Sequence, residues 1–507
     1  MEAFAFAPVF GDGMVLQRGK PITIWGSAPA GGTIRVYLGD YRTESSVAEG
    51  VWKCTFPPMD AATGLTLLAK QGGEVIGIQN VMIGDVWLAG GQSNMEFFLR
   101  YETHFEEAKA LPKNPLIRMY TCPRIAYAGQ KPYQSGCGYW FGEEDPVWET
   151  FSSAAYWFAR RLQPELDVPV GIISCNWGGT SASAWVPANS LEDSELEVYL
   201  SDYEAAIAGM DADANRKASM RGWAFQEDPT HLKEWAGVMY GIDRQAQLER
   251  LVTRAGNPAV PMGPYNKNRP GCLYEQMAAP LRDYAIRGVL WYQGENDVHH
   301  APLYSKLFGT LISEWRKIWG EDIPFLFAQL APFGQWLALD GELFPEIRYQ
   351  QEIVSKTIPN CHMISTSDAG MYYDIHPKEK KALGYRYFLQ AMDKVYGRPC
   401  LADAPVMYKG RIEHNRIVLE FKHSGSGLCL QGNPVDLFEV YQGENRIKPK
   451  DICISENTAV LCFGRPVTSP VRIEFAQTPY YEVTIYNSAG IPALPARMTL
   501  EVAHDFS

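Results

Sequence analysis

An α/β fold on a mainly parallel sheet, with β-rich regions at both ends of the chain, is what the sequence predicts. Three observations carry it. Between about residues 81 and 400, apolar runs such as VWLAG, VPVGIISCNW, IRGVLWYQG and IPFLFAQLAP alternate with helical stretches such as SSAAYWFARRLQPEL, YSKLFGTLISEWRKIW and KKALGYRYFLQAMDKVYG. Strands alternating with helices pair in parallel, because each return to the same edge needs a crossover over a sheet face. Before and beyond this run, short β patterns are separated by Gly, Pro and Asp turns with no helical period. Finally, 507 residues with 46% hydrophobic and 21% charged content are ordinary for a globular chain of roughly three domains.

In order, residues 1–84 hold MVLQ, ITIWG, TIRVYL, WKCTF and LTLLAK, separated by GDG, APAGG and FPPMD, and read as a sandwich-like β domain. Residues 85–400 form the α/β domain, in which YEQMAAPLRDYA also reads as a helix. Inside it, about 191–260 is polar and helical, an insertion that leaves the sheet. Residues 401–507 return to β structure in RIVLEFKH, LFEVYQG, AVLCF, VRIEFAQ and YYEVTIYNS. No solenoid repeat is present.

Composition excludes several function classes. Forty-six Lys and Arg against fifty-eight Asp and Glu give a net charge of −12 without a dense basic run, which disfavours nucleic acid. Ten Cys occur singly with no C-x-x-C, so neither a thiolate metal site nor a redox pair is expected. MEAFAFAPVF lacks a basic region followed by an apolar run, and no stretch reaches the length of a membrane span. The expectation is a soluble protein, cytoplasmic as given, or periplasmic or secreted if a leader was removed. Its oligomeric state is not legible.

In an open parallel sheet, ligands bind beyond the carboxyl ends of the strands, and four such junctions are rich in polar residues. In GDVWLAGGQSNMEF, Gly90 and Gly91 allow a tight strand-to-helix turn that projects the Ser93 hydroxyl. The competing reading makes Ser93 a helix cap, with Glu96 completing a capping box. In VPVGIISCNWGGTSASAW, the Gly178 and Gly179 N–H groups are candidates for holding an oxyanion. Cys175 is a rival nucleophile there, against its reading as a small buried strand residue. In GVLWYQGENDVHH, Gln293 offers an amide donor and Glu295 a carboxylate. His299 and His300 beside Asp297 suggest a metal, but adjacent histidines are expected to point apart and no H-E-x-x-H exists, so no metal is assigned. In SDAGMYYDIHPKEK, Asp374 and His376 precede a helix. Ser93, His376 and either Glu295 or Asp374 supply a nucleophile, a base and an orienting acid. The G-x-S-x-G elbow is absent.

GQSNME at 91–96, NWGGT at 176–180, QGEN at 293–296, DIHP at 374–377 and LYEQMAAPL at 273–281 together resemble the sialate O-acetylesterases of the SGNH hydrolase superfamily. The resemblance spans nearly the whole chain, flanking β domains included. It implies a flavodoxin-like three-layer catalytic domain and hydrolysis of acetyl esters on sialic acid hydroxyls without metal or organic cofactor. It makes Ser93 the nucleophile and His376 the base, and it puts the Ser93 N–H, Gly178, Gly179 and Gln293 in the oxyanion hole. The superfamily acid lies three residues before the His, where this chain has Tyr373. Glu295 is therefore ranked above Asp374 as helper acid, and a Ser–His dyad is the alternative.

Gln92, Asn94, Trp177, Asn296 and Arg348 complete the candidate set as substrate-binding residues, with Arg348 or Arg269 suited to a sugar carboxylate. The expected partner is a small or glycan-linked acetylated sugar, 9-O-acetylated sialic acid first. Alternatives are an esterase of acetylated plant polysaccharide such as xylan, a glycosidase using paired carboxylates, and a non-catalytic carbohydrate-binding protein.

Overall fold

The computed structural model describes residues 3–132, 136–192, 194–226, 259–320, 322–336, 339–468 and 470–501. Its central sheet has six parallel strands: β1 (Glu74–Gly91), β2 (Ile117–Thr121), β3 (Val170–Asn176), β4 (Gly288–Tyr292), β5 (Phe325–Ala328) and β6 (Cys361–Ile364). Across the sheet they run β2-β3-β1-β4-β5-β6, and Trp140–Phe141 adds an antiparallel edge to β2. Strand order reverses at β1, because the chain steps to one side for β2 and β3 and to the other for β4 to β6. The register sets Gly91 beside Asn176 and Tyr292, so the three central strands end level with one another. A crevice at such a switch point is where an open sheet accepts ligand.

β3, β4 and β5 are buried along their length, as two-sided coverage requires. Helix α1 (Ser93–Glu96) follows β1, and α2 (Ser153–Leu166) precedes β3. The excursion carries α3 (Glu197–Ile207) and α4 (Ala212–Gln226), while the rest of the expected insertion, 227–258, lies outside the described residues. Helices α5 (Tyr304–Trp319), α6 (Phe344–Thr357) and α7 (Lys381–Gln390) follow β4, β5 and β6. α5 buries Leu307, Phe308, Leu311, Ile312 and Trp315, an apolar stripe at helical spacing. It packs beside α6, whereas α7 packs on α2. Close approach of that second pair needs Gly384, where a Cβ would stand 2.6 Å from the Trp157 Cβ.

YEQMAAPLRDYA does not make a regular helix. A π-turn over Tyr274–Ala278 passes into a 3₁₀ turn over Ala279–Leu281, because Pro280 has no N–H to continue the ladder.

Strand β1 also belongs to the N-terminal β region: its first half pairs antiparallel with Ala62–Gln71 and parallel with Val15–Gln17. One hydrophobic core accordingly runs from Ile24 and Trp52 through Trp87 to Trp291 and Tyr387. Where the two regions meet, the fully buried Asp85 accepts hydrogen bonds from Gln17, Arg18, Arg287 and Tyr396. A buried carboxylate is tolerable only when compensated this fully.

Beyond residue 405 two four-stranded antiparallel sheets enclose a second core of Leu419, Leu461, Val440, Ile473 and Phe475. The alternation in Val471–Phe475, with residues 471, 473 and 475 buried, is that of a sheet with one solvated face. Among the described residues no helix is long and apolar enough to cross a membrane.

Candidate active site

The site begins with the two glycines ending β1. Gly91 has φ +132°, and a Cβ there would stand 2.1 Å from the Tyr292 carbonyl oxygen. Only glycine lets β1 turn this close to β4. Gln92 then caps α1, its carbonyl accepting from the N–H groups of Met95 and Glu96, so Ser93 is the first helical residue. The capping-box reading fails here: no side chain caps this helix, and Glu96 turns away to Arg124 (2.9 Å) and to the Gly178 N–H (2.6 Å). The Ser93 hydroxyl instead lies 3.0 Å from His376 Nε2. Cys175 is fully buried within β3.

His376 arrives from the other side of the sheet, on the loop between β6 and α7. It is 2% exposed, with the Trp336 ring edge-on at 5.4 Å. Asp374 Oδ1 lies 3.4 Å from His376 Nδ1 and accepts the His376 backbone N–H at 2.7 Å. Asp374 Oδ2 pairs with Lys378 at 2.8 Å. Burial lowers the His376 pKa below the usual imidazole value; Asp374 opposes this and Lys378 and Lys380 reinforce it. Burial pushes Asp374 upward, but the hydrogen bond with His376 and the Lys378 charge outweigh it and leave the carboxyl below its usual range.

The structure therefore brings Ser93, His376 and Asp374 together, with the carboxylate ranked second at the ring. Glu295 has a different partner. Its Oε1 accepts from Asn94 Nδ2 at 2.5 Å, and the same amide nitrogen donates to the Ile375 carbonyl at 3.0 Å. Lys380 closes the network by donating to Asn94 Oδ1 at 2.7 Å. Burial raises Glu295 and lowers Lys380 to about 7. This chain of contacts fastens α1, the residue after Gly294 and the His376 loop to one another. Asn94 is thus a 2% exposed tie, not the substrate contact expected of it.

Two expected oxyanion donors are already engaged. The Gly178 N–H goes to Glu96, and the fully buried Gln293 amide donates to the Thr180 carbonyl (3.2 Å) and to Asp297 (2.5 Å) while its oxygen accepts from Tyr304. Gly179, at φ +66°, and the half-buried Asn296 side chain have no hydrogen-bond partner for N–H among the described residues. Gln92 is turned inward, its Oε1 near the N–H groups of Gly294 and Asn296. Trp177 packs against Trp223 at 5.5 Å under the Lys267 ammonium.

Arg348 does not reach this site as a carboxylate receptor. It is 1% exposed and donates to the carbonyls of Thr478 and Pro479, joining α6 to the C-terminal region. Arg269 is paired with Glu275 at 2.9 Å. Cations near Ser93 that sequence reasoning passed over are Lys380, Lys267 and Arg124. Lys380 follows His376 by four residues on the same loop and lies inside the motif SDAGMYYDIHPKEK, which carried a signal; Lys267 and Arg124 are brought in from afar and carried none.

The adjacent histidines, expected to diverge, converge: His300 leaves helical geometry (φ −123°, ψ 34°), and the His299 and His300 rings lie 4.5 Å apart. With Asp202 they form a group whose ligand atoms lie within 4.8 Å of one another, and Glu102, His104 and Glu379 form a second; neither includes a member of the Ser93–His376 pair.

Residues 258–392 match the family model described as carbohydrate esterase, sialic acid-specific acetylesterase, a stretch that contains Glu295, Asp374 and His376. The rat sialate O-acetylesterase is 25% identical over 439 residues, covering 78% of this chain and 74% of that protein. The human protein of that name is 24% identical over 443 residues, with 78% and 71% covered. Among solved structures, a carbohydrate acetylesterase from Xanthomonas citri superposes with a TM-score of 0.75 at 25% identity, over 97% of this chain and 99% of that one. The chain is related to the sialate O-acetylesterases and shares the α/β architecture of a carbohydrate acetylesterase, as the motifs implied.

Proposed function

We propose that this relative of the sialate O-acetylesterases is a serine esterase that removes O-acetyl groups from sialic acids, the 9-O-acetyl ester first, through an acetyl-enzyme on Ser93. The observation that carries the reading is the 3.0 Å contact between the Ser93 hydroxyl and His376 Nε2 at the level ends of β1, β3 and β4. A serine and an imidazole at hydrogen-bond distance, with a carboxylate behind the imidazole, are the parts of an acyl-transfer site. Around it we read a flavodoxin-like three-layer SGNH domain over 85–400, with the α2–α7 and α5–α6 pairs on the two sheet faces, and β domains over 1–84 and 401–507.

In the mechanism, His376 Nε2 takes the Ser93 proton as the oxygen attacks the acetyl carbonyl carbon. Asp374 holds the ring and favours the imidazolium that forms, in the part first given to Glu295. Negative charge on the former carbonyl oxygen is met by the N–H of Ser93 in the open first turn of α1, by the Gly179 N–H and by the Asn296 amide. Asn296 takes the place expected of Gln293, because every Gln293 donor is already bonded. The tetrahedral intermediate collapses, its C–O bond to the sugar breaks, and His376 returns the proton to the departing sugar oxygen. Water enters, gives a proton to His376 and releases acetate from Ser93 by the reverse sequence.

The second reading keeps this chemistry and changes the sugar, since the Xanthomonas citri protein is a carbohydrate acetylesterase without a stated sugar. Acetate release from 9-O-acetyl-N-acetylneuraminic acid and from acetylated xylo-oligosaccharides, measured in parallel, separates the two. The account expects the higher kcat/KM on the sialic acid; preference for the xylo-oligosaccharide overturns the substrate, and release from neither overturns the esterase.

A further inference from the structure

The sequence reading set a metal aside at His299 and His300 because neighbouring side chains on a regular helix point about 100° apart. The structure removes that objection. In the 3₁₀ turn over Glu295–Leu303, His300 leaves helical geometry (φ −123°, ψ 34°), and the two rings come to 4.5 Å from each other. His300 Nε2 lies 2.6 Å from Asp202 Oδ2 on α3. One ligand atom from each of His299, His300 and Asp202 lies within 4.8 Å of the other two.

The elements that carry these three residues are already in register. The buried Tyr199 ring meets both imidazoles edge-on, 6.2 Å from His299 and 4.9 Å from His300. Asp202 follows Tyr199 by three residues on α3, so one face of that helix supplies both the packing and the carboxylate. Glu195, just before α3, pairs with Lys306 in the first turn of α5. Ligands are thus brought from two elements held together without an ion, as a preorganised site requires. The hydrogen bond to Asp202 satisfies His300 alone: His299 is exposed and has no hydrogen-bond partner among the described residues. Two imidazolium charges this close repel, whereas two neutral imidazoles and a carboxylate are the donors of a borderline divalent ion such as Zn²⁺. A tetrahedral ion about 2.0–2.1 Å from each ligand sets the ligand atoms about 3.3 Å apart. The 2.6 Å pair opens slightly as the metal replaces the proton between its members, and Asp202, with its side chain 55% exposed, has room to move.

The other group, Glu102, His104 and Glu379, has its acceptors in use. Glu102 accepts from the His104 and Lys381 N–H groups and from the Trp157 indole, Glu379 accepts the Ala382 N–H, and His104 lies 2.8 Å from Glu379 and 3.4 Å from Glu107. We propose that His299, His300 and Asp202 form a Zn²⁺ site, with solvent in the fourth position, and that the ion staples α3 of the excursion to the turn that follows β4. None of the three belongs to the Ser93–His376 pair, so the inference stands apart from the esterase reading.

The test titrates Zn²⁺ by calorimetry into the untagged, chelator-treated full chain, as wild type, His299→Ala, His300→Ala, Asp202→Asn and, for the other group, His104→Ala. We expect one ion per wild-type chain with a Kd of about 1 μM or tighter. Loss of either ring at 299 or 300 weakens binding at least about 100-fold, Asp202→Asn weakens it about tenfold or more because the amide lacks the charge, and His104→Ala leaves it unchanged. Melting in EDTA at the wild-type temperature separates loss of a ligand from loss of the fold, and His299→Gln and His300→Gln repeat the comparison should an alanine variant melt lower. Wild-type binding no tighter than about 1 mM, wild-type affinity in either histidine variant, or loss in His104→Ala alone overturns the site. Wild-type affinity in Asp202→Asn overturns the bridge to α3.

Discussion

His376 is buried where a positive charge is costly, and the result is an imidazole biased towards the neutral, proton-accepting form. As the proposed general base it works only when unprotonated, so kcat/KM is expected to rise with pH through an apparent pKa below the usual imidazole value of about 6.5 and to stay high above it. Asp374→Asn removes the influence of Asp374 that raises that pKa, which moves the acid limb to lower pH while the plateau falls by part of the roughly 10²–10⁴-fold that a positioned base contributes. A pH–rate profile of the two proteins checks both points; an acid limb that moves upward in the variant contradicts the assignment. At this scale the types of the residues that meet at Ser93 were legible and their pairing was not. Glu295 and Asp374 are both acids near the right motifs, but only coordinates reveal that Glu295 is bonded to Asn94 while Asp374 is at the imidazole. Gln293 was misread for the same reason: an amide after a strand has the right chemistry, and spacing says nothing of Asp297 and Thr180 having claimed it.

The elements that carry the site are the turns at the ends of β1 and β3. Strands and helices of the sheet were legible because apolar runs of four to ten residues alternate with stripes at helical spacing. The Gly-Gly turns were legible too, since two glycines after a buried strand signal a backbone approach that a Cβ would block. Gly91→Ala puts a methyl 2.1 Å from the Tyr292 carbonyl at φ +132°. We expect it to cost about 3 kcal/mol and to remove activity, whereas Gly73→Ala, with nothing within 4 Å, stays within about 0.5 kcal/mol. Paired thermal melts and acetate assays test this, and a Gly91→Ala enzyme with wild-type melting and activity contradicts the turn geometry. Local pattern failed in two places. Tyr274–Leu281 reads as a helix by composition, yet Pro280 cannot join the ladder. His299 and His300 would diverge on a regular helix and converge because the backbone at His300 breaks from it.

For the molecule as a whole, the order β, α/β, β was legible from the change of hydrophobic period along the chain, but the seams between the parts were not. β1 runs unbroken from the N-terminal strands into the parallel sheet, and Asp85 gathers Gln17, Arg18, Arg287 and Tyr396, which are up to 379 positions apart between Gln17 and Tyr396, at that junction. Arg348 makes a second seam, taken from sequence as a substrate contact and found tying α6 to the carbonyls of Thr478 and Pro479. Long-range side-chain ties of this kind leave no local pattern to read. What they hold in place is a serine from one strand end and a histidine from a loop 283 residues later, at 3.0 Å. The claim that this pair performs acyl transfer is tested most directly by reaction with a small fluorophosphonate, followed by intact mass and peptide mapping. The account expects a single adduct, on Ser93, formed in step with the loss of esterase activity and absent from Ser93→Ala. An adduct on another residue with the same loss of activity, or full esterase activity in Ser93→Ala, would contradict it.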